Sequence, residues 1–142
     1  MLTTYFLKCI AEDIFKHQET STIPYEFYIG LSSTKPNLDG TGVREPNSNT
    51  GYARVYVDNS NLIFNTANDD ASVGNHSKIY FPESILPWTN LKYYVIFDDE
   101  KDGNLLMYGE FAIPLYVPIK TIVSIPVDAL RISVKNEVTQ WV

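Results

Sequence analysis

The hydrophobic positions at the start of the chain recur with the period of a helix. The apolar face consists of Leu2, Phe6, Leu7, Ile10 and Ile14, and Lys8, Glu12 and Lys16 lie on the opposite side. Spacings of three and four residues are typical of an amphipathic helix. The pattern predicts a helix from Leu2 to about His17, with Thr3 or Thr4 as its N-cap.

After Pro24 the pattern changes to short runs of aromatic and β-branched residues separated by turn residues, which is typical of strands. We predict eight strands, at residues 25–31, 52–57, 62–64, 78–81, 91–98, 105–108, 121–125 and 130–134. The run 93–97 is apolar throughout and predicts a central strand, whereas residues 65–76 are polar and predict a loop. Asp102-Gly103 predicts a hairpin turn.

These elements predict a mainly β protein. We expect an antiparallel β-sandwich, jelly-roll-like, with one N-terminal α-helix that packs on a sheet or on a neighbouring subunit. A chain of 142 residues is the usual size of one domain, and no linker divides residues 1–142.

Charge and cysteine content exclude several classes of protein. The formal net charge is −6, which argues against binding to nucleic acid and against electrostatic docking on anionic lipid. Cys9 is the one cysteine, so an internal disulfide and a cysteine-based zinc site are excluded. Charged residues at Lys8, Glu12 and Asp13 interrupt the N-terminal apolar stretch. We therefore expect no signal peptide and folding in a cytoplasm.

A search for catalytic chemistry yields no catalytic or cofactor-binding residue. His17 and His76 stand in polar surroundings without an evident nucleophile, and Cys9 lies beside the apolar stripe, where a buried thiol is expected. Ser32-Ser33-Thr34-Lys35 matches a β-lactamase motif by chance, because Pro36 follows and the companion motifs are absent. Gly40-Thr41-Gly42 predicts a flexible turn. We expect a protein that is not an enzyme.

Three further patterns have both a structural and a functional interpretation. Residues 98–103 begin like a calcium loop, but Gly109 stands where the bidentate glutamate belongs, so a solvated hairpin tip is favoured and no metal ligand is assigned. Asn75-His76-Ser77 fits a glycosylation sequon without a compartment for that modification. Tyr52, Tyr56 and Tyr116 suit packing between strands, with stacking on a sugar as the alternative.

Several segments in order resemble a family of small bacteriophage virion proteins commonly labelled phage tail fibre proteins. The shared motifs are Tyr28 to Pro36, Gly40-Thr41-Gly42, Glu45-Pro46, Gly51-Tyr52-Ala53-Arg54, Phe97-Asp98, and Gly103 to Leu106 with Tyr108-Gly109. The likeness covers roughly residues 1–134. Asn47 to Thr50 replace a glycine run of that family, and residues 136–142 have no counterpart.

The resemblance implies a structural protein of the virion that binds other virion proteins and assembles as a homo-oligomer, a trimer or a hexamer. The alternatives are a capsid decoration protein or a module that binds host glycan, and a small glycan-degrading enzyme is the remote one. The resemblance also implies synthesis in the cytoplasm of a bacterial host, and it supplies no catalytic residue, cofactor or metal ligand.

The motif residues also have structural explanations of their own. We expect a bulge or a close approach at Gly30, positive φ at Gly40, Gly42 and Gly51, and an ion pair of Arg54 with Glu45.

Overall fold

The computed structural model describes residues 1–16, 23–64 and 71–134, in which one α-helix precedes nine β-strands. The bounds are α1 Thr4–Phe15, β1 Phe27–Ser32, β2 Val55–Val57, β3 Leu62–Phe64, β4 Ala71–Asn75, β5 Ile79–Tyr80, β6 Trp88–Phe97, β7 Leu105–Val117, β8 Ser124–Ile125 and β9 Arg131–Val134. All strand pairs in this part of the chain are antiparallel. The predicted mainly β fold with a single N-terminal helix is confirmed.

The strands form three sheets. The largest has four strands in the order β2-β1-β6-β7, the second is β3-β4-β9, and the third pairs β5 with β8. β6 lies between β1 and β7, and Val95, Ile96 and Phe97 are buried, so the predicted central strand is confirmed. The jelly-roll connectivity and the single domain over residues 1–142 stay predictions.

Helix α1 begins at a threonine cap and buries only a narrow face. The Thr3 hydroxyl accepts a hydrogen bond from the Phe6 amide at 3.4 Å, as an N-cap side chain does. Phe6 and Cys9 are buried, whereas Leu7 and Ile14 are exposed. The predicted apolar face is therefore wrong at these two residues, because the sheet covers the side that carries Phe6 and Cys9. His17, the predicted helix end, lies outside the described residues.

The first three residues extend the large sheet beyond β7. The Met1 ammonium donates to the Tyr108 carbonyl at 2.8 Å, and the Tyr108 amide donates to the Met1 carbonyl at 3.0 Å. Leu2 forms an antiparallel bridge with Met107, and the Thr3 amide donates to the Leu106 carbonyl. Residues 1–3 thus cover the outer edge of β7 near the start of that strand, at residues 106–108.

The two faces of the large sheet carry different clusters because side chains alternate along each strand. The main core includes Ile29, Leu31, Trp88, Ile96 and Leu106 and lies on one face. On the other face a smaller cluster holds Val95, Phe97, Leu105 and Tyr108, with Val43 and Tyr93 packed against it.

Some predicted boundaries differ from the structure. Residues 71–75 form β4, although the polar composition of 65–76 predicted a loop. β7 continues past the predicted end at Tyr108 to Val117. Between the pairs Leu91↔Leu115 and Tyr93↔Glu110, β7 advances by more residues than β6, and this irregular stretch accommodates Pro114, which cannot donate to a ladder.

Candidate functional site

A bidentate ion pair fixes the long loop between β1 and β2. The Arg54 Nε donates to Glu45 Oε1 at 2.9 Å, and Nη2 donates to Oε2 at 2.9 Å. The Arg54 side chain is 8% exposed and that of Glu45 is 20% exposed. The predicted pairing of Arg54 with Glu45 is therefore confirmed, in the fork geometry that guanidinium and carboxylate groups share.

The same arginine also holds the hairpin turn between β6 and β7. Its Nη1 donates to the carbonyls of Asp99 at 2.9 Å and Asp102 at 2.8 Å. The guanidinium lies over the Phe97 ring, 3.5 Å from its centroid, which places a cation on the negative face of the ring. One side chain therefore joins the loop at Glu45 to the turn at residues 98–104.

Tyr52 and Gly30 complete this cluster. The Tyr52 hydroxyl donates to Glu45 Oε1 at 2.6 Å and accepts from the Leu31 amide at 2.9 Å. A Cβ atom at Gly30 would come within 2.5 Å of the Tyr52 hydroxyl and 2.7 Å of Glu45 Oε1. The close approach predicted at Gly30 is thus correct, whereas the bulge is wrong, because the pairing of β1 with β6 is continuous through Gly30↔Val95.

We call this cluster of Gly30, Glu45, Tyr52, Arg54 and Phe97 the clasp. Burial raises the pKa of the Tyr52 hydroxyl far above its ordinary value, and the charge of Glu45 adds to that effect. The hydroxyl therefore remains a hydrogen-bond donor to Glu45 throughout the physiological pH range.

In contrast to the charged clasp, residues 79–86 and 111–127 expose apolar side chains, and we call these two segments the apolar end. Glu83 and Lys120 are its only charged residues. The two segments are joined because the Phe81 amide donates to the Val123 carbonyl and the Ser84 amide to the Thr121 carbonyl. The exposed large apolar side chains here are Tyr80, Ile85, Leu86, Ile113, Tyr116, Ile119, Ile122 and Val127.

A cavity of about 490 Å³ opens beside this surface. The second half of β7 and the segment 123–131 line it with mostly apolar side chains, including Phe111, Leu115 and Ile125. The Tyr94 ring packs there over Gly109, where an added Cβ would come within 2.2 Å of the ring. Partial burial raises the pKa of the Tyr94 hydroxyl.

The structure separates the three tyrosines considered for sugar stacking. Tyr52 is buried, and its ring lies 5.4 Å from the Trp88 ring, so it serves packing and hydrogen bonding. Tyr56 is exposed beside Tyr28, with 5.4 Å between the ring centroids. Tyr116 belongs to the apolar end. These residues do not form one sugar-binding platform.

The residues of the calcium-like turn are engaged in local hydrogen bonds. Asp98 Oδ1 accepts from the Asn104 amide at 2.6 Å, and Asp98 Oδ2 accepts from Asn104 Nδ2 at 3.0 Å. Asp102 and Gly103 both have positive φ, which confirms the hairpin turn predicted there. Within the described residues, no three His, Cys, Asp or Glu side chains are grouped to hold a metal ion.

The remaining candidate residues have structural positions. Cys9 is buried, as predicted, and His76 is exposed. Asn75 is 1% exposed, and its Nδ2 donates to the carbonyls of Ser77 and Pro126, so the sequon nitrogen is enclosed. Ser32 is buried and bonds to Thr34, and Gly40, Gly42 and Gly51 have the predicted positive φ. His17 lies outside the described residues.

Sequence reasoning missed a second concave site, a polar cleft of about 290 Å³. The loop after β1 and the start of β6 line it with Ser33, Arg44, Glu45, Pro46, Asn47, Thr50, Pro87, Trp88, Thr89 and Leu91. No short motif marks it, because its residues come from two segments that are distant in sequence. In the described part of the chain, no helix is long and apolar enough to cross a membrane.

Comparison with known families identifies the chain. The model of the family described as Podophage GP4 fiber I protein gp80 matches residues 2–133. No protein in a search of curated sequences matches the chain. Because the match covers nearly all of the sequence, the chain belongs to this podophage fibre protein family, which confirms the resemblance drawn from the motifs.

Proposed function

We propose that this member of the podophage fibre family is a structural component of the virion that acts by binding copies of itself and other virion proteins. Family membership supports a place in the particle. Binding, rather than catalysis, is the proposed activity.

The observation that carries this proposal is the exposure of the apolar end. Ile113 on β7 is 80% exposed, and Ile85 and Ile122 are 67% and 57% exposed. An exposed apolar patch of this kind marks a site of protein interaction. Such side chains gain about 25 cal/mol for each Å² of apolar surface that a partner removes from water.

Charge favours a second copy of the chain as the occupant of this surface. Two copies each carrying a net charge of −6 repel one another, so their contact requires a surface of low charge. The apolar end contains one negative and one positive charged residue, Glu83 and Lys120. We therefore propose that the predicted trimer or hexamer forms through the apolar end.

The test is the mass of the protein in solution, measured by light scattering over a range of concentrations. We expect an oligomer for the wild type and a shift toward monomer for Ile113→Asp and for Ile122→Asp. Tyr25→Asp is the matched control, because Tyr25 is 81% exposed and lies outside the apolar end.

Two results would contradict this proposal. A wild-type protein that is monomeric at every concentration would remove self-association and leave a different virion protein as the partner. An oligomer whose mass is unchanged in both apolar-end variants would place the contact elsewhere on the molecule.

A further inference from the structure

The polar cleft lies beside the clasp, and the clasp fixes one of its walls. Glu45 belongs to both, and its carboxylate is occupied by Arg54 and Tyr52. Its neighbours in the same loop, Arg44 and Asn47, are exposed at the cleft. The loop is therefore held in one conformation before any ligand arrives, which lowers the entropic cost of binding.

Arg44 is the charged group in this cleft that is available to a ligand. The Arg44 backbone is bonded to Ser33, with 2.9 Å from the Ser33 amide to the Arg44 carbonyl. Its guanidinium, in contrast, has no ion pair and no hydrogen bond within residues 1–16, 23–64 and 71–134. An unpaired guanidinium fork matches a carboxylate, to which it donates two parallel hydrogen bonds.

The other groups of the cleft suit hydroxyls. Ser33, Asn47 and Thr89 line it with neutral donors and acceptors, and Trp88 and Leu91 form its buried apolar part. A small ring with several hydroxyls and one carboxylate would use both kinds of group. Neutral polar groups of this type fix the orientation of a ligand in a site.

We propose that this cleft binds an acidic sugar residue, a hexuronate, with Arg44 on its carboxylate and with Ser33, Asn47 and Thr89 on its hydroxyls. No residue of the apolar end lines the cleft, although the two are neighbours, because the amides of Ile85 and Leu86 donate to the carbonyl of Thr50. It gives the chain a glycan-binding role in addition to its structural one.

The experiment titrates the full chain with sodium D-glucuronate and measures binding by NMR, with D-glucose as the neutral analogue. We expect saturable binding of glucuronate that weakens at least about tenfold for D-glucose and for Arg44→Gln, since a hydrogen bond to a charged group contributes that much or more. Arg44→Lys retains the charge without the fork and should show an intermediate loss.

Two controls separate recognition from unfolding and from net charge. Arg44→Gln should leave the unfolding midpoint and the solution mass unchanged, because Arg44 is exposed. Lys78→Gln removes the same charge from an exposed residue that does not line the cleft, and it should bind glucuronate as the wild type does.

The proposal fails if glucuronate does not bind, if Arg44→Gln binds it as well as the wild type, or if Lys78→Gln weakens binding equally. A third probe, N-acetyl-aspartate, represents an acidic peptide side chain. If it binds as tightly as glucuronate, the cleft recognises a carboxylate alone and the assignment to a sugar is wrong.

Discussion

In the clasp a charged side chain is almost enclosed, whereas in the apolar end large hydrocarbon side chains stand in solvent. The Arg54 side chain is 8% exposed and donates four hydrogen bonds to carboxylate and carbonyl oxygens. Ile113 is 80% exposed, and the segment 111–119 that contains it has no charged residue. The clasp satisfies its polar groups internally, so its residues stabilise the fold. Within the described part of the chain, the exposed side chains of the apolar end have no such internal partners, and in our proposal they become buried when a second copy of the chain binds.

The strongest way to break this contrast is to remove the cation of the clasp. Arg54→Leu leaves the partly buried Glu45 carboxylate without its counter-ion and frees the carbonyls of Asp99 and Asp102. We expect the free energy of unfolding, measured by urea titration, to fall by about 3 kcal/mol.

A matched control for that substitution is Arg131→Leu. Arg131 pairs with Asp128 at 3.4 Å, and both side chains are about half exposed. Its loss should change the free energy of unfolding by less than about 0.5 kcal/mol. Equal effects of the two arginine substitutions would show that the clasp contributes no more than a surface ion pair.

A smaller loss in the free energy of unfolding is expected when Ser84, a buried polar residue of the apolar end, is substituted. Ser84 is 1% exposed, and its hydroxyl donates to the Pro118 carbonyl and accepts from the Thr121 amide at 3.1 Å. Ser84→Ala should lower the free energy of unfolding by about 1.5 kcal/mol, because the amide loses a buried acceptor.

Ser124→Ala is the control for the Ser84 variant, since Ser124 also belongs to the apolar end, in β8, and is exposed. It should unfold at the same urea concentration as the wild type. If Ser84→Ala also unfolds at the urea concentration of the wild type, the apolar end is held together by its apolar contacts and the Ser84 hydroxyl is dispensable.

The smallest expected effect is a local response to acid in the loop that precedes the clasp. Two hydrogen bonds from Thr41, its amide at 3.0 Å and its hydroxyl at 2.6 Å, lower the pKa of Asp39 below the ordinary value of 3.8. A carboxyl group whose pKa is lower in the folded state stabilises the fold at pH values above its ordinary pKa. This stabilisation is lost as the pH falls through the pKa of the folded state.

We therefore expect protection of the Thr41 amide from hydrogen exchange to decrease below about pH 4, and Asp39→Asn to weaken this response. The exchange of amides in β6 should not change in the same pH range. A parallel loss in β6 would mean that acid opens the sheet and not the loop alone.

The sequence predicted the clasp and the loop between β1 and β2 better than the apolar end, and the reason is physical. Positive φ at Gly40, Gly42 and Gly51 and the pairing of Glu45 with Arg54 follow from local chemistry, because glycine tolerates that backbone and a buried cation needs a carboxylate. The contact of Arg54 with two carbonyls of the hairpin turn was not predictable, since any carbonyl can accept.

Elsewhere the local pattern conflicted with tertiary structure. β4 has few apolar residues and gains its place by pairing with β3 and β9, which propensity does not register. Leu7 and Ile14 fit the helical stripe, but only the side of Phe6 and Cys9 meets the sheet. The polar cleft joins residues 33–50 to residues 87–91, so no window of sequence contains it.

The contact of residues 1–3 with β7 has a consequence for the order of events during synthesis. The partners of these residues, 105–108, are translated about a hundred residues later. At 5–20 residues per second, the ribosome needs roughly 5 to 20 s to supply them. Residues 1–3 must therefore wait for their partners until about a hundred further residues have been made, and the outer edge of β7 is covered by residues that were synthesised well before it.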